Sequence, residues 1–138
     1  MSQLNIGGKL IFDNRIRTTE TKTGATYSGK PVYRKLVTAT NVAPATYSNR
    51  QTVTIETTVA NMDTLINGYG TVKYNGGTYA NRVYSLLGAQ VDGNMDILVA
   101  GAIRVSGTTV TGFFCMKPSY TPTTANMVMV LEYTKTTD

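Results

Sequence analysis

The sequence has no histidine, no tryptophan and a single cysteine, Cys115. Without histidine the chain lacks the commonest general base, the commonest transition-metal ligand and every Ser-His or Cys-His dyad. One thiol excludes an intrachain disulfide, and a zinc site would have to draw on that thiol and carboxylates alone. Charge is scarce too: Asp, Glu, Lys and Arg make up 15% of the 138 residues, where roughly a quarter is usual. No apolar run is long enough to span a bilayer, and MSQLNIGGKL lacks the apolar core of a signal peptide. No Asn-x-Ser/Thr sequon occurs. The chain is therefore expected to be made in a cytoplasm and to leave it, if at all, by lysis or another route. Phosphate-loop, dinucleotide and EF-hand patterns are missing, and the glycines of INGYG and YNGG read as turn glycines.

Threonine, serine and asparagine stand where charge is missing. They give a neutral, hydrogen-bonding, strand-compatible surface of a kind suited to extracellular or virion shells. The length suits one domain with a real core. The formal net charge is +5, with basic residues at 9, 15, 17, 22, 30, 34 and 35, then fewer beyond. That is a mildly basic N-terminal segment without the basic run or aromatic motif of a nucleic-acid binder. Neither nucleic acid nor membrane insertion is expected.

The apolar pattern is β almost throughout. Residues 7–17 read as a short strand or arm, and the polar run TTETKTGAT (18–26) as a linker. In SGKPVYRKL (28–36), Gly29 can supply a positive φ, and Pro31 fixes the entry to a strand over 32–40. Val32, Arg34 and Leu36 then point one way and Tyr33, Lys35 and Val37 the other, with Arg34 and Lys35 expected in solvent. Residues 41–50 read as a loop around Pro44. QTVTIETTVA (51–60) alternates cleanly, so one face is buried and one wet. Strand character resumes over 64–74, with a bulge or close backbone approach at Gly68 and Gly70, followed by an Asn-Gly-Gly turn. Residues 81–94 fit either a strand or a short helical turn. Residues 95–105 and 108–116 form a hairpin, 117–126 a loop with two prolines, and 127–135 the last strand. Cys115, in GFFCM, is expected to be a buried small hydrophobe. Strands at roughly ten-residue spacing indicate an all-β, antiparallel sandwich, jelly-roll-like in class.

Catalysis has little to draw on. Glu56 and Glu132 share outward strand parity, and a pair of facing carboxylates is the minimum for glycoside hydrolysis. As two solvated strand carboxylates they do nothing of the kind, and that is the expectation: no enzyme and no cofactor.

Three stretches occur together in order: GKPVYRKLV, NMDTLINGYGTV and, at the C-terminus, EYTKTTD. The set resembles the C-terminal domain carried by many structural proteins of tailed bacteriophages. The matching positions are Gly29 to Lys35, Asn61 to Asp63, Tyr69 to Gly70 and Glu132 to Asp138, and the resemblance covers about 26–138. The Trp-Ile-(Asp/Asn) that often precedes Gly-Lys-Pro in that family is replaced here by TYS, leaving Tyr27 as the aromatic anchor. The resemblance implies a virion protein: a tail- or head-fibre tip or receptor-binding module, usually a homotrimer. On that basis residues 1–26 are an attachment arm towards other virion proteins and 27–138 the head domain. A host-surface glycan or protein is the implied receptor. The alternatives are a virion decoration or adaptor with no receptor, and a cell-encoded carbohydrate-binding sandwich.

Recognition on a sandwich sits in loops that the sheets hold rigid. YNGGTYANR (74–82) offers Tyr74, Asn75, Tyr79, Asn81 and Arg82: aromatic faces for sugar rings, with amide and guanidinium donors beside them. KPSYTPTT (117–124) offers Tyr120 on a loop stiffened by two prolines. The competing reading is that Tyr74 and Tyr79 pack on each other across a hairpin.

Overall fold

The structure, a computed structural model, describes residues 3–6, 9–13 and 16–137. Strands β1 (Gln3–Ile6) and β2 (Lys9–Asp13) pair with each other. The body is two five-stranded antiparallel sheets packed face to face, a β-sandwich as the alternating pattern requires. The first sheet is built from β3 (Thr21–Tyr27), β4 (Lys30–Val42), β7 (Met62–Asn75), β8 (Val83–Ser85) and β12 (Thr124–Lys135). Its order is β3-β4-β12-β7-β8. The second contains β5 (Ala45–Tyr47), β6 (Arg50–Thr58), β9 (Ala89–Val91), β10 (Ile97–Ser106) and β11 (Thr109–Met116), in the order β5-β6-β11-β10-β9. Among the described residues the one helical element is a 3₁₀ turn at Pro118–Tyr120.

Period-two alternation fills the space between the sheets. Ala125, Met127, Met129, Leu131 and Tyr133 of β12 are buried, facing Val110, Phe114 and Met116 of β11 and Val53 and Ile55 of β6. Burying a side chain such as Phe114 is worth roughly 1.5–3 kcal/mol, so the register of β11 is strongly fixed: a one-residue slip would exchange Phe114 for Phe113.

Leu86 closes one side of the sandwich. It lies in the crossing from β8 to β9, is fully buried, and donates its N–H to the Gly70 carbonyl (2.9 Å). Gly101 of β10 and Gly112 of β11 make room for it: a Cβ on Gly101 would collide with the Leu86 carbonyl, and one on Gly112 would come 3.0 Å from a Leu86 methyl. This apolar anchor, with short strands on both sides, is what the ambiguous stretch 81–94 encodes; no helical turn forms there.

The hairpins follow their turn chemistry. Ser28 and Gly29 both have positive φ (51° and 77°) between Tyr27 and Lys30, which pair, as a two-residue type I′ connection demands. Ser48 and Asn49 repeat the device between β5 and β6. In the long pairing of β7 with β12 both register shifts precede Gly68, while the close backbone approach falls at Gly70, where a Cβ would collide with the Val128 carbonyl.

Several expectations are corrected. Residues 18–26 are not a free linker: Thr21–Tyr27 forms edge strand β3, because threonines pack well on a pleated edge without being apolar. Glu20 just ahead of it accepts from the Tyr133 hydroxyl and from Lys135 Nζ, both at 2.7 Å. Six residues of β3, 21–26, thus lie within the segment read as an arm. Residues 41–50 contain edge strand β5 rather than only a loop. Arg34 is not solvated but ion-paired, and Lys35 is half-buried. Cys115 is half-buried, not a core residue; it alternates with Phe114 and Met116, so it takes the outer face. The expectation that Glu56 and Glu132 form no facing pair holds. They stand on different sheets, each on the outer face, so the sandwich separates them.

Candidate functional site

The three stretches that carry the resemblance lie side by side, on β4, β7 and β12. Their polar residues form two cross-strand links on the outer face. Arg34 donates through Nε and Nη2 to one Glu132 oxygen (3.0 and 2.7 Å), and Asn67 Nδ2 donates to the other (3.2 Å). Lys30 Nζ donates to Asp63 (2.7 Å), which also accepts from Thr134 Oγ1 (3.4 Å). The Lys30 bond leads in holding the Asp63 carboxyl below its ordinary value, against a smaller opposing effect of burial. The Gly-Lys-Pro corner is thus the entry to a locked sheet, and Lys30 and Arg34 are ion-paired within that sheet.

The residues chosen from sequence gather at one end of the sandwich, and the two loops meet. Tyr79 and Tyr120 pack with ring centroids 4.4 Å apart. The Arg82 guanidinium carbon sits 4.2 Å from the centre of the Tyr79 ring, and Nη1 donates to the Tyr84 hydroxyl (3.3 Å). Burial and the bond to Tyr79 raise the Tyr120 phenol. Tyr74 does not reach solvent: it is 0% exposed, packs on Tyr84 rather than Tyr79, and points its hydroxyl at Met116 Sδ (3.4 Å). Burial pushes its pKa up. Asn75 is half-buried and donates to Asn126 Oδ1 (2.8 Å) and Thr124 Oγ1 (3.3 Å). Asn81 is exposed with φ 67° and caps the loop through its backbone N–H to the Tyr74 carbonyl (2.9 Å). The Tyr79 ring is engaged by Tyr120 and Arg82, and the Tyr74 hydroxyl and Asn75 amide are engaged within the fold, so the cluster reads as a packed corner fastening two loops.

A different surface is open. On the outer face of the second sheet, a groove of about 650 Å³ runs over β5, β6, β11 and β10. Its floor is made of small side chains: Thr52 and Thr54 from β6, Cys115 from β11 and Ala102 from β10, with Ala43 and Ala45 beside them. Phe113 stands on that floor, opposite Thr54 and Ala102 in the ladders. Tyr47, 76% exposed, forms one lip. Arg104 also lines the groove, its guanidinium carbon 4.7 Å from the centre of the Phe113 ring. The volume falls within the range of about 300–1,000 Å³ common to small-ligand sites.

This groove was missed in the sequence, although part of its signal was there. Alternation already puts Phe113 on the wet face when Phe114 is buried, and an aromatic among threonine and alanine on a wet face lacks a packing reason. That β6, β11 and β10 are neighbours, and that 43–47 curls in as a lip, is a matter of topology.

Among the described residues no three Cys, Asp or Glu side chains converge as a metal site. Among these same described residues, no helix is long and apolar enough to cross a membrane. No protein-family model, curated protein or solved structure matches the chain.

Proposed function

We propose that this chain is a glycan-binding module of a bacteriophage virion structural protein, a fibre-tip or receptor-binding head that acts without catalysis. The observation that carries the binding part is the Phe113 groove. An aromatic ring set among alanine and threonine offers a flat apolar face with hydroxyls around it, and a pyranose presents the complementary pair, a C–H face and a rim of hydroxyls. The virion part rests on the resemblance, supported by the mutual contacts of its motif residues across three adjacent strands. In this reading the motifs build a stable scaffold and the opposite sheet does the recognising.

The same proposal includes a homotrimer, joined to other virion proteins through the segment ahead of the sandwich. Val83, Leu87, Val91, Met95 and Ile97 are all exposed along 83–97, where both sheets end in three-residue edge strands. Unpaired strand edges flanked by apolar side chains favour pairing with another chain. Three grooves per particle would convert weak single-site binding into firm attachment.

Two measurements test this. Purified wild-type protein should adsorb to host cells and Phe113→Ala should not; equal adsorption of the two overturns the groove. Light scattering should give the mass of a trimer, reduced by Val83→Lys with Met95→Lys, whereas a stable wild-type monomer at micromolar concentration removes the trimer.

A further inference from the structure

We infer that the Phe113 groove selects an acidic sugar, with Arg104 as the group that receives its carboxylate; this rests on the glycan reading above and narrows it. Three other arginines commit N–H groups within the fold. Arg34 spends them on Glu132, Arg50 on the Ile97 carbonyl (2.8 Å) and Arg82 on the Tyr84 hydroxyl. Arg104 is exposed, and no hydrogen bond or ion pair to another described residue uses its guanidinium. What holds it is the Phe113 ring.

A cation over an aromatic face is attracted to the ring without consuming its donors. The planar fork that matches a carboxylate therefore stays available, and the ring limits where it can point. Holding the side chain in place beforehand reduces the entropy lost on binding.

The surrounding charge agrees. Arg104 is the one groove-lining residue that is charged at neutral pH. Glu56 stands in the same cross-strand row, one strand beyond Thr111, and accepts from the Thr111 hydroxyl (3.1 Å). Arg104 sits over Phe113 and makes no ion pair with Glu56. A single unopposed cation beside an apolar floor fits a ligand with one negative charge, and the threonine hydroxyls fit a sugar better than an apolar acid.

Cys115, the sole cysteine, lines the same groove and reports occupancy directly. The experiment uses the full chain and a panel of uronic- and sialic-acid-terminated oligosaccharides, each paired with its carboxyl-reduced derivative. Affinity is read by calorimetry and occupancy by protection of Cys115 from maleimide. The expected result is binding at least tenfold tighter for an acidic member than for its reduced form. The difference should disappear in Arg104→Gln and be partly kept in Arg104→Lys, with Cys115 protected in step with binding. Equal affinity for both forms, or a preference that survives Arg104→Gln, overturns the inference and leaves the glycan reading standing. No binding and no Cys115 protection by any member overturns both. Binding that leaves Cys115 unprotected places the sugar elsewhere and overturns the groove assignment.

Discussion

The carbonyl oxygen of Leu86 occupies the space that a Cβ on Gly101 would need. Strand β10 and the β8–β9 crossing touch backbone to backbone here, and Gly101 donates its N–H to the Gly88 carbonyl (3.1 Å) in the same contact. Gly101→Ala must push the crossing outward and lift Leu86 from the core. We expect a loss of about 1–3 kcal/mol, the cost of overpacking, read as a lower denaturant midpoint at unchanged slope. Gly107→Ala serves as the comparison: its added Cβ meets no atom within 4 Å, so only the backbone strain of φ 62° applies.

Arg34 and Glu132 form the inner link of the motif sheet, each side chain 19% exposed. Removing one partner leaves the other half-desolvated. Glu132→Ala should lower stability by about 1–3 kcal/mol, and the double variant with Arg34→Ala should lose less than the sum of the singles. Oligosaccharide binding at the Phe113 groove should not change, since the link lies on the other sheet. Additive losses in the double-mutant cycle would show that the pair does not interact energetically.

Asp63 gives the acid limb of the stability profile a specific origin. With Lys30 beside it, its folded pKa lies below the ordinary value, so the unfolded chain binds the proton more readily. Stability from this pair is complete above about pH 4, the unfolded carboxyl's range, and is lost as pH falls through the folded value. The wild type should therefore lose melting temperature below about pH 4 more steeply than Asp63→Asn. The two profiles should converge at the acid end, and identical slopes would remove Asp63 from the account.

Tyr79 and Tyr120 should behave as fasteners. Tyr79→Ala or Tyr120→Ala breaks the ring contact between two loops and, for Tyr79, removes the ring beneath Arg82. Aromatic pairs of this kind contribute about 0.5–1.5 kcal/mol beyond burial. Thermal stability should fall in both variants while host-cell adsorption per folded molecule is kept. Full stability with lost adsorption would return the binding role to this corner.

Much of the architecture was fixed locally. Alternation in QTVTIETTVA and MVMVLEYTK sets which side chains face inward, the glycines and asparagines of the turns set where the chain reverses, and together they specify an antiparallel sandwich. The missing histidine and the sparse carboxylates bounded the chemistry from the start. Edge strands were harder to read: β3 and β5 carry no buried apolar stripe, so their pairing depends on a neighbour that only the folded sheet supplies. The candidate site depended still more on tertiary structure. Tyr74 and Tyr79 look equivalent on one loop, yet one is sealed beneath Tyr84 and the other is claimed by Tyr120. Phe113 and Arg104 lie on different strands, and their contact exists because β10 and β11 pair in one register. A strand's own sequence determines which face each residue takes, because side chains alternate along it; which residues share that face, and whether anything covers them, is decided by strand order, which no single segment contains.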